Sequence, residues 1–257
     1  MNVPTKLRLG ESELTRIGLG TNRLRNTREN VAFVREAVAA GVNMIDTAHT
    51  YTGGESETTI GAALSPILDG CVVATKGGWG AGNGRPDVLH AQIEESLRRL
   101  RTDTLDLYYL HRVDPETPLE RSLVAIKEYR DSGKIHHVGL SEVSIDQIKQ
   151  AREVVPIAAV QNQYNLAERK HEDVVDYCAN EGIPFVPFFP LRGGTIPAFV
   201  EIAARHGATT AQISLAWLLR RSPTMLPIPG TLSSEHVKEN VTALSIELSD
   251  EEFEALR

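Results

Sequence analysis

The sequence has little sulfur to work with. Two cysteines in 257 residues are too few for a disulfide framework, and Cys71, which opens the apolar run CVVAT, reads as a core residue rather than a nucleophile. Long apolar stretches are missing too. No segment approaches the roughly 18 residues of a membrane span, and the opening MNVPTKLRLGESELTRIG lacks the apolar core of a secretory leader; a cytoplasmic protein is expected. Basic charge is in deficit: the formal net charge is -7, so nothing in the overall field favours nucleic acid or an anionic membrane. A Gly-rich G-x-G-x-x-G phosphate loop is also absent, since the first apolar run continues as RIGLGTNRLRN, and an open dinucleotide-binding sheet would normally announce itself there.

What the chain does have is alternation. Apolar runs rich in Val and Ile appear as RIGLGT, VNMIDT, CVVATK, LDLYYLH, IHHVGLS, IAAVQNQ, PFVPFFP and MLPIPG. Amphipathic stretches lie between them. In RENVAFVREAVAAG, Val31, Val34, Ala37 and Val38 share a face and Gly41 supplies a stop; in RPDVLHAQIEESLRRLR, Val88, Leu89, Ile93, Leu97 and Leu100 recur at helical spacing behind Pro86 and Asp87. Parallel strands need such crossovers. Eight runs with eight crossovers predict a single domain over residues 1–257, an α/β fold of the (β/α)8 TIM-barrel class. LRLGESELTRIG would form a short N-terminal hairpin over the barrel bottom, and the chain would have a short C-terminal end.

Chemistry in a barrel sits where strands pass into loops. The polar residues at those points are Thr21, Asp46, Lys76, His111, Ser141 and Gln161. Asp, Lys and His at three successive strand ends converge on one mouth, which is more than solvation requires, although Lys76 with Asp46 alone could be a plain ion pair. Tyr51 lies five residues beyond Asp46 in DTAHTYTGG and can fold back over the same mouth. A lysine ammonium beside a phenol stabilises the charge left when the proton departs, and a carboxylate keeps that lysine charged. A neighbouring histidine can steady the substrate oxygen. Such a group donates protons and stabilises an oxyanion, and it contains no nucleophile–base pair of the hydrolase kind.

The stretches IDTAHTYTGGESETTIGAAL, VVATKGG, LDLYYLHRVDP, GKIHHVGLS, VQNQYNL and LPIPGTLSSEHVKEN resemble, in order and spacing, the motifs of the aldo-keto reductases. The resemblance implies an enzyme, an oxidoreductase that reduces an aldehyde or ketone to an alcohol with NADPH rather than NADH. Tyr51 would be the proton donor, Lys76 and Asp46 would tune it, and His111 would orient the substrate. Ser141 and Gln161 would hold the nicotinamide carboxamide beside Asp46, Gly20 and Thr21, with Phe188 stacked on its ring. Pro190, Leu191 and Gly193 would lie near the pyrophosphate. Gly230, Thr231, Ser233, His236, Glu239 and Asn240 would hold the adenosine end. The partner would be a small carbonyl compound, and the chain a monomer or homo-oligomer.

Some positions depart from the family pattern. Residue 142 is Glu in place of a frequent Asn, Phe188 replaces a frequent Tyr, and the adenosine loop lacks Lys and Arg, leaving Thr231, Ser233 and His236 to meet the 2′-phosphate. No long tail follows LSDEEFEALR, and an open substrate side is expected, with Trp79 as either a wall or a loop anchor. GIPFVPFFPL resembles the pyridoxal reductase subgroup, which makes pyridoxal a candidate substrate. An NADPH-binding regulatory subunit with little turnover is the alternative of another class. A metal-dependent barrel hydrolase is a third, but no metal ligand set is expected: His136 and His137 are adjacent in a strand and point to opposite faces.

Overall fold

The computed structural model describes residues 3–193 and 197–256. Two short strands, β1 (Lys6–Leu9) and β2 (Ser12–Thr15), pair antiparallel as the expected hairpin. Gly10 makes its turn at φ +57°, and the His137 ring lies against it so closely that a Cβ there would meet Cε1 at 2.4 Å. The hairpin thus rests on His137 from below, while His136 on the opposite face is exposed.

Six strands then form one curled parallel sheet in sequence order: β3 (Leu19–Gly20), β4 (Met44–Asp46), β5 (Val72–Gly77), β6 (Leu105–Leu110), β7 (Ile135–Ser141) and β8 (Ile157–Gln161). Helices α1 (Arg28–Ala39), α2 (Glu55–Leu64), α3 (Pro86–Leu100), α4 (Leu119–Asp131) and α5 (Ile145–Arg152) occupy the crossovers. Beyond β8 come α6 (Glu172–Glu181), α7 (Pro197–His206), α8 (Thr210–Arg221), α9 (Ser234–Thr242) and α10 (Asp250–Ala255). Among the described residues no helix is long and apolar enough to cross a membrane.

The two remaining apolar runs, expected as regular strands, join the sheet only through isolated bridges. Phe185 bridges Val160 and Met225, and Gly230 bridges Gly20. The reason is local: Pro184, Pro187, Pro227 and Pro229 have no N–H to place in a ladder. The donors between them still bond. Val186 N–H reaches Val160 O at 2.8 Å, Leu226 N–H reaches Phe185 O at 2.8 Å, and Gly18 N–H reaches Pro227 O at 3.0 Å.

Helix sequences explain the outer layer. Thr27 caps α1 by accepting from Asn30 N–H, and α3 buries Leu89, Ile93, Leu97 and Leu100 behind Pro86 in its first turn. Each fully buried Leu or Ile contributes about 1.5–3 kcal/mol. The inner layer decides where function sits. Met44, Val72, Ala74, Leu107, Tyr109 and Ala159 pack together inside the curl with Leu9 and Leu14 of the hairpin. Side chains alternate along a strand, so two residues further on from Met44, Ala74, Tyr109 and Ala159 come Asp46, Lys76, His111 and Gln161, on the same inner face.

Candidate active site

The strand register steps those ends by two residues from β4 to β5, and by two again from β5 to β6, around the curl. Asp46 pairs with Gly20 and Ala74, Lys76 with Tyr109, and Ser141 with Gln161. A buried hydroxyl, Ser56 Oγ, ties the first two ends together, bonding Thr21 Oγ1 at 2.8 Å and Thr47 Oγ1 at 2.7 Å. Lys76 is fully buried. Its ammonium donates to Asp46 Oδ1 at 2.6 Å, to Thr47 O at 2.7 Å and to the Tyr51 hydroxyl at 3.3 Å. Burial alone would lower the lysine's pKa, but the Asp46 carboxylate and Tyr51 more than offset it, and it lies above the ordinary value. Asp46 is pushed up by its own burial against the pull of Lys76. With the ammonium within hydrogen-bonding reach of the carboxylate and fixed by a backbone carbonyl, the charged pair is the state that this geometry supports.

Tyr51 is held by distant contacts rather than by a strand. It opens a 3₁₀ turn at Tyr51–Gly54 in which Thr52 has φ +49°. Arg99 of α3 donates to His49 O at 3.0 Å and to Glu57 Oε2 at 3.1 Å, while Glu57, fully buried, accepts from Thr75 Oγ1 at 2.6 Å. His49 N–H in turn bonds Lys76 O. His111 stands across from the tyrosine, ring centroids 6.0 Å apart at 78°. Burial, with the charges of Lys76 and Arg112 added, pushes its pKa down to about 2. The ring is therefore neutral at physiological pH.

These groups face a cavity of about 790 Å³. Asp46, Tyr51 and His111 line it, Lys76 lies behind Tyr51, and of the residues expected to hold a cofactor Gly20, Thr21, Ser141, Gln161, Phe188, Pro190, Leu191 and Gly230 line it as well. Gly193, Thr231, Ser233, His236, Glu239 and Asn240 do not. The last five stand on or just before α9, whose first residues follow Gly230 at the cavity edge. There Ser233 Oγ caps the helix, accepting from His236 N–H, and His236 Nδ1 lies 3.3 Å from Thr231 Oγ1.

Sequence reasoning missed three cations. Arg23, Arg112 and Arg192 line the cavity. Arg112 had a usable cue, since it follows His111 directly and has to share its strand end. Trp79, expected as a wall or an anchor, lines the cavity with its ring 4.6 Å from that of His111. Glu142, at φ +57°, accepts from Gln163 N–H and faces Lys170 at 3.3 Å.

The chain matches the aldo/keto reductase family over residues 16–201 and 195–257. It belongs to that family. An uncharacterized oxidoreductase of Schizosaccharomyces pombe is 37% identical over 97% of this chain and 88% of its own length. Pyridoxine 4-dehydrogenase of Escherichia coli is 36% identical over 96% of each. Among solved structures, a thermostable aldo-keto reductase in complex with the inhibitor epalrestat superposes with a TM-score of 0.90 at 33% identity, covering 98% of both chains. A Klebsiella pneumoniae aldo-keto reductase in complex with NADP and acetate gives 0.89 at 33% identity, covering 99% of this chain and 94% of that one.

Proposed function

We propose that this member of the family is an NADPH-dependent carbonyl reductase in which Tyr51 is the proton donor. The observation that carries this reading is the Tyr51 hydroxyl, set at the cavity 3.3 Å from a fully buried ammonium that Asp46 keeps charged.

The residues present fit a nicotinamide. Ser141 Oγ accepts from Arg112 at 3.0 Å, which leaves its own proton to donate; Gln161 gives one N–H of its amide to Asp46 at 2.8 Å and keeps its carbonyl oxygen to accept. One donor and one acceptor, adjacent in register, complement a primary carboxamide. Phe188 offers a ring for stacking, and the exposed Arg23 and Arg192 at the rim offer charge to phosphates. When bound, the reduced cofactor supplies the hydride for the carbonyl carbon. Tyr51 then gives its proton to the carbonyl oxygen, with the phenolate stabilised by Lys76. His111 has Nδ1 buried without a partner, so the single proton of the neutral ring belongs on Nε2, where it donates to the same oxygen. Pyridoxal is a candidate substrate, supported by the likeness to pyridoxine 4-dehydrogenase. The segments 184–188 and 225–230 would complete a (β/α)8 barrel of one domain.

The test is NADPH oxidation by the purified protein with pyridoxal, simple aldehydes, dicarbonyls and keto-sugars. At least one substrate turns over, and Tyr51→Phe lowers kcat by about 10²–10⁴-fold while NADPH affinity, read by fluorescence titration, stays the same. Tight NADPH binding with no turnover of any carbonyl would establish the regulatory alternative instead.

A further inference from the structure

We propose that Arg112 selects the substrate, favouring small carbonyl compounds that also carry an anionic oxygen group such as a carboxylate. The inference rests on the reductase reading above and adds to it the chemical class of the substrate.

Three observations carry it. The first is charge. Among the described residues lining the cavity Asp46 is the single acidic one, and Lys76 neutralises it; Arg23, Arg112 and Arg192 are the cations. Glu142, whose charge acts on Arg112 from outside the cavity lining, is already engaged by Gln163 N–H and Lys170. The cavity is left electropositive.

The second is fixation. Arg23 and Arg192 are exposed, whereas Arg112 is half-buried. Its Nη1 donates to His111 O at 2.6 Å and to Ser141 Oγ at 3.0 Å, and its Cζ lies 4.5 Å from the Trp79 ring centroid and 5.8 Å from that of Phe188. One corner of the guanidinium is thus pinned and its faces meet aromatic rings. Nε and Nη2 have no acceptor among the described residues. A planar fork with two donors unspent, partly shielded from water, matches a carboxylate.

The third is position. The His111 ring packs between Tyr51 and Trp79, and Arg112 packs on Trp79. A substrate whose carbonyl oxygen meets Tyr51 and His111 therefore lies along the Trp79 wall with Arg112 beside it. The dinucleotide's phosphates are served by the two exposed arginines at the rim.

The experiment compares 4-carboxybenzaldehyde with its methyl ester, which keeps the ring and aldehyde and removes the charge. Wild-type kcat/KM favours the acid, mainly through KM. In Arg112→Met the acid-to-ester ratio falls by about ten- to a hundredfold, the range for a hydrogen bond to a charged group, and Arg112→Lys keeps part of the preference. A purely structural Arg112 holding Ser141 would lower both substrates by the same factor and weaken NADPH binding alongside. That result, or a wild-type ratio near one with the ester still reduced, overturns the inference and leaves the reductase reading standing. Failure of both aldehydes while another carbonyl of the panel above turns over overturns the inference alone; failure of every carbonyl overturns the reductase reading, and the inference with it.

Discussion

Gln161 donates its amide N–H to Asp46 Oδ2 at 2.8 Å, on the carboxylate whose other oxygen faces Lys76 at 2.6 Å. All three side chains are buried. A residue proposed to hold the cofactor therefore also steadies the charge proposed to serve Tyr51, and the two proposed tasks are joined through one carboxylate. Thr21 adds a tie from the other side, donating to Asp46 O at 2.8 Å.

Removing that link should show in both tasks. Gln161→Leu is expected to weaken NADPH binding by about fivefold, the worth of one ordinary hydrogen bond, and to lower kcat even at saturating NADPH. Fluorescence titration and steady-state rates separate the two. An unchanged kcat at saturation would show that Gln161 acts on the cofactor alone.

The buried pair makes a second prediction, about stability. Lys76→Met strands the Asp46 carboxylate, which is 1% exposed, and removing one partner of a buried pair costs about 3–5 kcal/mol. Lys76→Met/Asp46→Leu removes both charges and should recover much of that loss. Urea unfolding at neutral pH measures it. If the double variant is no more stable than the single one, the stranded charge is not what destabilises the protein.

Gly54 and Gly53 test the scaffold under Tyr51. Both have positive φ, +92° and +66°, so alanine at either is strained by about 1–3 kcal/mol. Only at Gly54 would the new Cβ collide with a partner, meeting Arg99 Cζ at 2.2 Å; at Gly53 nothing lies within 4 Å. Gly54→Ala should therefore displace the guanidinium that fixes His49 O, and lower kcat well beyond the effect of Gly53→Ala. Equal rates in the two variants would mean that the Arg99 contact does not position the tyrosine.

The legible part of this site is the part governed by strand parity. Asp46, Lys76, His111, Ser141 and Gln161 each end or directly follow an apolar strand, and the period of two that buries Met44, Ala74 and Tyr109 also fixes which way the next polar residue faces. Tyr51 could be placed only by its nearness to Asp46, because its turn depends on Arg99 of α3, which reaches His49 O and Glu57 from far along the chain. Arg23 and Arg192 escaped notice because an arginine in a loop has no periodicity to reveal the direction it takes; Arg112 alone had a cue, its place directly after His111. The runs PFVPFFP and MLPIPG read as strands by their apolar content, yet their prolines withhold the donors that a regular ladder needs. Three of the non-glycine residues with positive φ, Thr52, Glu142 and Phe189, directly follow Tyr51, Ser141 and Phe188. Such strain clusters at functional sites, and no local sequence pattern announces it.

His111 provides a last prediction, in acid. The unfolded chain holds this imidazole near its ordinary value of 6.5, whereas burial first, and then the charges of Lys76 and Arg112, bring it to about 2 in the folded site. Below pH 6.5 the unfolded state takes up a proton that the folded state refuses. The stability is thus complete above 6.5 and is lost progressively as pH falls toward 2. Between pH 7 and pH 5 this one group removes about 2 kcal/mol. His111→Asn keeps a polar side chain and removes the titration, so the variant should lose about that much less than the wild type over the same interval. Urea unfolding at the two pH values gives the comparison, with the other seven histidines common to both proteins. Equal losses would mean that the folded site tolerates a charged ring. The neutral Nε2 donor proposed for the carbonyl oxygen would then lose its physical basis.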